Sequence, residues 1–380
     1  MPRRYWCGLA AVAAIVLLVQ LPGTHATAWH FFELAVDLLT GNGPPGDRGG
    51  LGLYRDHPEL QFGPVSILVA LPFTLLGSGA GETAVMVAGS VLGLAVVGVV
   101  LTLLSEMTLL SQENPAGRSG ATVREWVIGV TLVVVWGDIA VRTAHLDDAI
   151  ALAAIAAGLV AVRRGHTVPA TAFLALATAA KPWAVVFVPL CALPIRPGSW
   201  RRPILAAGAG VATWLPFILA EPDTLDTSDF GIANDPTSSL RFFGIDAATT
   251  PAWIRPAQLI GGLAIVALLV LFHRWPGAIL AGISWRLLLD PGVHRYYTAG
   301  FVIGALLVEH RLRPGRPPWY TVVAAIVLEL SAVPDVAVGP GRAARVAVLT
   351  IALIAATIAR DPGMRSAGLG RRRHWLTNTG

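Results

Sequence analysis

Thirteen apolar stretches mark this chain, near residues 5 to 22, 62 to 77, 83 to 105, 126 to 142, 147 to 162, 167 to 180, 183 to 195, 203 to 220, 256 to 273, 277 to 289, 296 to 309, 319 to 333 and 344 to 359. Gly, Pro and charged residues fill the gaps between them. A bilayer core about 30 Å thick takes about 20 helical residues, so the pattern predicts an all-α, polytopic transmembrane bundle of about 11–13 helices. Several stretches are short for a crossing. Those between 167 and 195 predict a tight hairpin of short helices broken at Lys181-Pro182. Proline removes a helical hydrogen bond and disfavours helix at the residue before it.

Composition narrows the class. Of the 380 residues, 54% are hydrophobic and 13% charged, where soluble domains carry about a quarter charged residues, and the mean hydropathy is +0.65. No stretch is left to bury a separate soluble core, so 1–380 reads as a single integral membrane domain. It comprises a first helix over 1–22, a first outside loop over 23–61, core helices over 62–310, peripheral helices over 311–360 and a basic cytoplasmic tail over 361–380. The formal charge of +5 comes from Arg in short clusters between apolar runs, with no continuous basic stripe. That pattern argues for the lipid bilayer as a partner and against nucleic acid. Cys7 and Cys191 both lie in apolar runs, which excludes a disulfide framework and a thiolate metal site. Arg3-Arg4, the apolar stretch to Leu21 and the Ala26-Thr27-Ala28 ending have the form of a signal peptide. With so many spans following, an uncleaved first helix is expected.

Orientation follows from Arg3-Arg4, Arg163-Arg164, Arg196 with Arg201-Arg202, Arg274, Arg311 with Arg313 and Arg316, and Arg371 to Arg373, all inside by the positive-inside rule. The expected location is the bacterial inner (plasma) membrane, multi-pass. The segment 221 to 254 then lies outside, and it carries six acids against Arg241 alone. From residue 145 onward the alternation closes. Before it, three apolar runs separate two segments that both belong outside, so either 126 to 142 or 62 to 77 is expected to be re-entrant or broken.

The outside segments hold the chemistry-bearing residues. Trp29 to Leu39 predicts an interfacial amphipathic helix ending at Gly41, with His30, Glu33 and Asp37 on one face. Asp56, His57, Glu59 and Gln61 crowd the entry to the next apolar run, more polar groups than an interfacial cap needs. His145, Asp147 and Asp148 open another apolar helix, either capping its N-terminus or serving a site. Lys181, the only lysine, either snorkels or meets an anion. His294 and Arg295 precede Tyr296-Tyr297, an aromatic pair that also suits an interfacial anchor. Together these place carboxylates, histidines and two cations on one face. An anionic lipid-linked substrate needs such a set: a general base for the acceptor hydroxyl and cations for a phosphate leaving group.

These motifs, with Ala144-His145-Leu146-Asp147-Asp148 followed by Val162-Arg163-Arg164-Gly165 and Ala180-Lys181-Pro182-Trp183, resemble the membrane-embedded C-type glycosyltransferase superfamily. Within it, the chain is most similar to glycosyltransferase family 87, the polyprenol-phosphate-mannose-dependent mannosyltransferases of actinobacteria. The resemblance covers most of the first 310 residues. It implies a hexosyltransferase that moves a sugar, mannose first, from a polyprenyl-phosphate donor to a lipid-linked or cell-envelope glycan acceptor outside the membrane. It also implies inversion and a first-loop carboxylate as base; no cofactor and no metal is expected. The family usually has an Asp immediately before the first-loop helix, where this chain has Ala28. The base candidates are therefore Glu59 and Asp37, then Glu33 and Asp56, with His30, His57, Gln61, His145, Asp147, Asp148, Lys181, His294 and Arg295 as substrate-binding candidates. Lys181 and Arg295 are the pair expected at the donor phosphate. A transporter, a lipid flippase and a non-catalytic scaffold are the alternatives; no repeat of the Asp147-Asp148 or Lys181-Pro182 pattern marks the two halves a transporter commonly has.

Overall fold

The computed structural model describes residues 1–20, 26–109, 122–333 and 338–361. The start of the first outside loop and nearly all of the expected basic tail, Arg371 to Arg373 included, lie outside the described residues. Every regular element among those described is helical, and the one β-bridge is an isolated Ala233–Thr249 pair. In chain order the helices are α1 (Arg3–Gln20), α2 (Trp29–Thr40), α3 (Leu53–Asp56), α4 (Pro64–Thr74), α5 (Ser78–Leu109), α6 (Val123–Gly137), α7 (Leu146–Arg163), α8 (Thr167–Ala180), α9 (Arg201–Ala212), α10 (Leu215–Ala220), α11 (Ser239–Phe242), α12 (Ile254–Leu271), α13 (Ala278–Leu288), α14 (Tyr297–Leu312), α15 (Trp319–Ser331) and α16 (Val338–Ile358).

This is an α-helical membrane protein. Among the described residues four helices, α1, α5, α12 and α16, are long and apolar enough to cross a bilayer. Large apolar side chains face outward on them, with Ile15 59%, Ile260 67% and Ile351 65% exposed, as a surface solvated by lipid requires. The interior is one continuous apolar cluster running from Tyr5 and Leu9 to Leu349 and Ala356.

Charge sorts the molecule into two ends. At one end Arg163 pairs with Asp361 at 2.9 Å, Arg164 with Glu106 at 2.8 Å, and Arg311 donates to the Arg360 carbonyl at 2.6 Å. Tyr5, beside Arg3 and Arg4, joins that end by donating to the Glu125 carbonyl. At the other end Arg55 links Glu221 at 3.1 Å and Asp223 at 3.5 Å, Arg48 also pairs with Glu221, and Asp235 N–H donates to the Pro291 carbonyl at 2.9 Å. The first loop and the acidic loop are thus fastened together.

The surplus apolar run is explained by α4. Its eleven residues rise about 16 Å, half a bilayer core. Both of its ends lie at the acidic end. Gly63 N–H and Ser66 hydroxyl donate to the Ala180 carbonyl at 2.8 and 3.1 Å, closing the C-terminus of α8, while Phe73 packs edge-on against Trp29. Gly63 is required at that junction, because a Cβ there would collide with the Ala179 carbonyl. Of the two runs suspected from the sequence, 62 to 77 is the one whose helix is too short to cross a bilayer and whose two ends stay at the same end of the molecule. The other, 126 to 142, is also irregular: α6 gives way to a π-helical turn over Asp138–Arg142.

Two further stretches depart from simple helices. After α8 the chain breaks at Lys181-Pro182, and Pro182–Ala192 is a 3₁₀-helix rather than α-helix. At about 2.0 Å per residue it advances about 22 Å in eleven residues, farther than an α-helix of that length. The run 203 to 220 divides into α9 and α10, because Pro216 in the first turn of α10 has no N–H to continue the ladder.

Candidate functional site

A cavity of about 1090 Å³ opens at the acidic end. Its polar wall is built by the loop after α3, the π-turn, the start of α7, the Lys181 break and the segment before α14; its apolar wall includes Val185, Val186, Val211, Ile218 and Leu259. A lipid-like molecule with a charged head matches that division.

The buried centre is an acid–base set on the first turn of α7. Asp147 and Asp148 are 0% and 2% exposed. The Lys181 ammonium donates to Asp147 and lies 3.7 Å from Asp148, and Trp183 Nε1–H donates to Asp148 at 3.0 Å. His145 Nδ1 is 3.4 Å from Asp147 and 3.8 Å from Asp148, and its ring lies 4.0 Å from that of Tyr296. The hydrogen bonds that the two acids accept thus come from the Lys181 and Trp183 side chains. His145, Asp147 and Asp148 each present one ligand atom within 4.8 Å of the others, a spacing open to a divalent ion, although Lys181 competes for the same carboxylates.

The expected first-loop residues separate into two groups. Trp29, Phe32, Ala35, Val36 and Leu38 turn the apolar face of α2 into the protein, and Gly41, at φ +80, ends the helix in the left-handed conformation glycine tolerates. The opposite face carries His30, Glu33 and Asp37; His30 and Asp37 are exposed, and none of the three lines the cavity. Asp56 is exposed too, and accepts from Arg48 N–H at 3.1 Å. Glu59 and Gln61 do line the cavity. His57 Nδ1 is 2.8 Å from Glu59 and its Nε2 is 3.2 Å from Asp47. Burial favours the neutral imidazole, but the two carboxylates outweigh it and hold the His57 pKa above its ordinary value. His57 thus links a cavity carboxylate to the outer loop.

His294 and Arg295 line the cavity with Tyr296 and Tyr297; the His294 and Tyr296 rings are stacked at 5.2 Å. Arg286 is sandwiched between Trp183 and Tyr297, at 4.7 and 4.5 Å from their ring centres, and donates to the Tyr297 hydroxyl at 3.1 Å. Arg286, Arg255, Gln258, Asp138 and Arg142 line the cavity without having been singled out as a site from the sequence. Their signal was there: a charge inside an apolar run is by default functional, and Asp138, Arg142 and Arg286 each interrupt one.

Ala28 itself forms part of the cavity wall, held by its N–H donating to the Thr143 carbonyl at 2.9 Å. Comparison of the chain with family models, with curated proteins and with solved structures returns no match.

Proposed function

We propose that the protein is a polyprenyl-phosphate-sugar-dependent glycosyltransferase of the C-type superfold, acting on the extracytoplasmic face. The observation that carries the reading is the cavity: one wall apolar and of a size for an isoprenoid head region, the other lined by Glu59, by His145 with Asp147, and by five cations. The acceptor hydroxyl attacks the anomeric carbon and its proton passes to Glu59. The new C–O bond forms as the bond from the anomeric carbon to the phosphate oxygen breaks, and polyprenyl phosphate leaves as an anion held by the cavity cations. Mannose is the first donor sugar to test, and a glycolipid or cell-envelope glycan the acceptor class.

Glu59 is the first-loop carboxylate best placed for the base, because it alone of the four candidates lines the cavity and His57 orients it. Purified protein in liposomes, given radiolabelled polyprenyl-phosphate sugars in turn, is expected to consume at least one of them with an acceptor glycolipid. Absence of turnover with every donor, together with donor movement between leaflets, would instead favour the flippase reading.

A further inference from the structure

We infer that Arg142 and Arg295 form the clamp for the donor's phosphate, an inference that rests on the transferase reading for the identity of the ligand. Five cationic side chains other than histidine line the cavity: Arg142, Lys181, Arg255, Arg286 and Arg295. Three are spent on the protein. Lys181 donates to Asp147, Arg286 to the Tyr297 hydroxyl, and Arg255 to Gln61 at 3.4 Å. Arg142 and Arg295 meet only carboxylates, and those at the long end of charge contact: Asp138 at 3.7 Å from Arg142 and Glu329 at 3.8 Å from Arg295. Each carboxylate also sits in the field of both guanidiniums, so the four groups form one cluster.

A guanidinium carries five N–H donors in a planar fork that matches phosphate oxygens. The carboxylates orient the two forks and leave most of those donors open. The π-turn brings Arg142 to the cavity wall, and the segment before α14 brings Arg295 to it. A phosphate bridging the pair would accept charge-assisted hydrogen bonds from both. Lys181, by contrast, is a structural counter-ion of Asp147 and Asp148, and Arg142 takes its expected place beside Arg295.

The test is direct binding to the purified protein in detergent, read by calorimetry with three probes: farnesyl phosphate, farnesol and inorganic phosphate. Wild type is expected to bind farnesyl phosphate more tightly than farnesol. Arg142→Ala and Arg295→Ala are each expected to lose about tenfold or more for farnesyl phosphate and to keep farnesol binding unchanged. The Gln variants at the same positions repeat the measurement with the side-chain bulk retained. Inorganic phosphate binding as tightly as farnesyl phosphate would overturn the lipid assignment and leave a free-phosphate site. Undiminished farnesyl phosphate binding in folded variants of both residues overturns the clamp. Selective loss in the variants, with no sugar transfer by wild type, keeps the clamp and removes the transferase reading instead.

Discussion

Replacing Lys181 by Ala is expected to destabilise the protein strongly, whatever it does to activity. Its ammonium neutralises Asp147 and lies 3.7 Å from Asp148, and the three side chains are 14%, 1% and 3% exposed. Cutting one partner out of a buried ion pair strands a charge and costs about 3–5 kcal/mol. Exchanging both members of the closer pair for neutral groups of similar size, Lys181→Met with Asp147→Asn, removes the charge stranded on Asp147 and restores part of the loss, Asp148 keeping its own. A double-mutant cycle is therefore expected to show coupling of about 1–3 kcal/mol. Unfolding in mixed micelles, followed by tryptophan fluorescence, measures the parent, Lys181→Met, Asp147→Asn and their double, with Lys181→Ala beside them. Trp183, which donates to Asp148, reports on the site itself. Lys181→Ala within about 0.5 kcal/mol of the parent, or strictly additive losses, would refute the buried pairing.

Further expectations concern the loops. Glu59→Gln is expected to keep donor binding and lose about two to four orders of magnitude in transfer, while Glu33→Gln, Asp37→Asn and Asp56→Asn stay near wild type in the same assay. Full activity of Glu59→Gln would move the base elsewhere in the cavity. Cysteines placed at Pro45 and Asp246, both exposed, on a Cys7→Ser/Cys191→Ala background are expected to react with an impermeant maleimide in intact cells, and labelling only after lysis would reverse the orientation. The raised pKa of His57 means its charged contacts with Glu59 and Asp47 are complete below the unfolded value near 6.5 and fade as pH climbs through the folded value. Hydrogen-exchange protection of residues 44–61, corrected for intrinsic rates, is expected to fall over that range, and a pH-independent His57→Gln protein checks the assignment.

The helical plan was legible because lipid leaves the chain one way to satisfy its backbone, and apolar runs therefore map onto helices. Fine geometry was less legible. The choice between 62 to 77 and 126 to 142 needed the contacts of Gly63 with α8 and of Phe73 with Trp29, pairings between residues distant in sequence. The polar face of α2 was read correctly as a face, but periodicity carries no direction, and the side bearing His30 and Asp37 turns to the outside. Lys181 stood out as the only lysine, whereas its partners became identifiable only when α8 and the start of α7 were brought together. Arg286 interrupts the run 277 to 289 without a polar neighbour to mark a site, and Arg255 falls between the acidic loop and the run 256 to 273, where it reads as a flank of the span.

The π-turn stores an extra residue in the chain that leads to the site. Over Asp138–Arg142 the Thr143 N–H reaches back five residues to the Asp138 carbonyl at 3.1 Å, one residue more than an α-helical turn spans. An α-helical turn holds one residue fewer, so removing one residue from within that turn would let α6 continue in ordinary register and leave the downstream chain close to its present phase. His145, Asp147 and Asp148 would then keep their place, and only the local bulge that carries Arg142 to the cavity wall would be lost. A one-residue deletion scan across 136 to 144 is consequently a sharper probe of this bulge than any alanine scan.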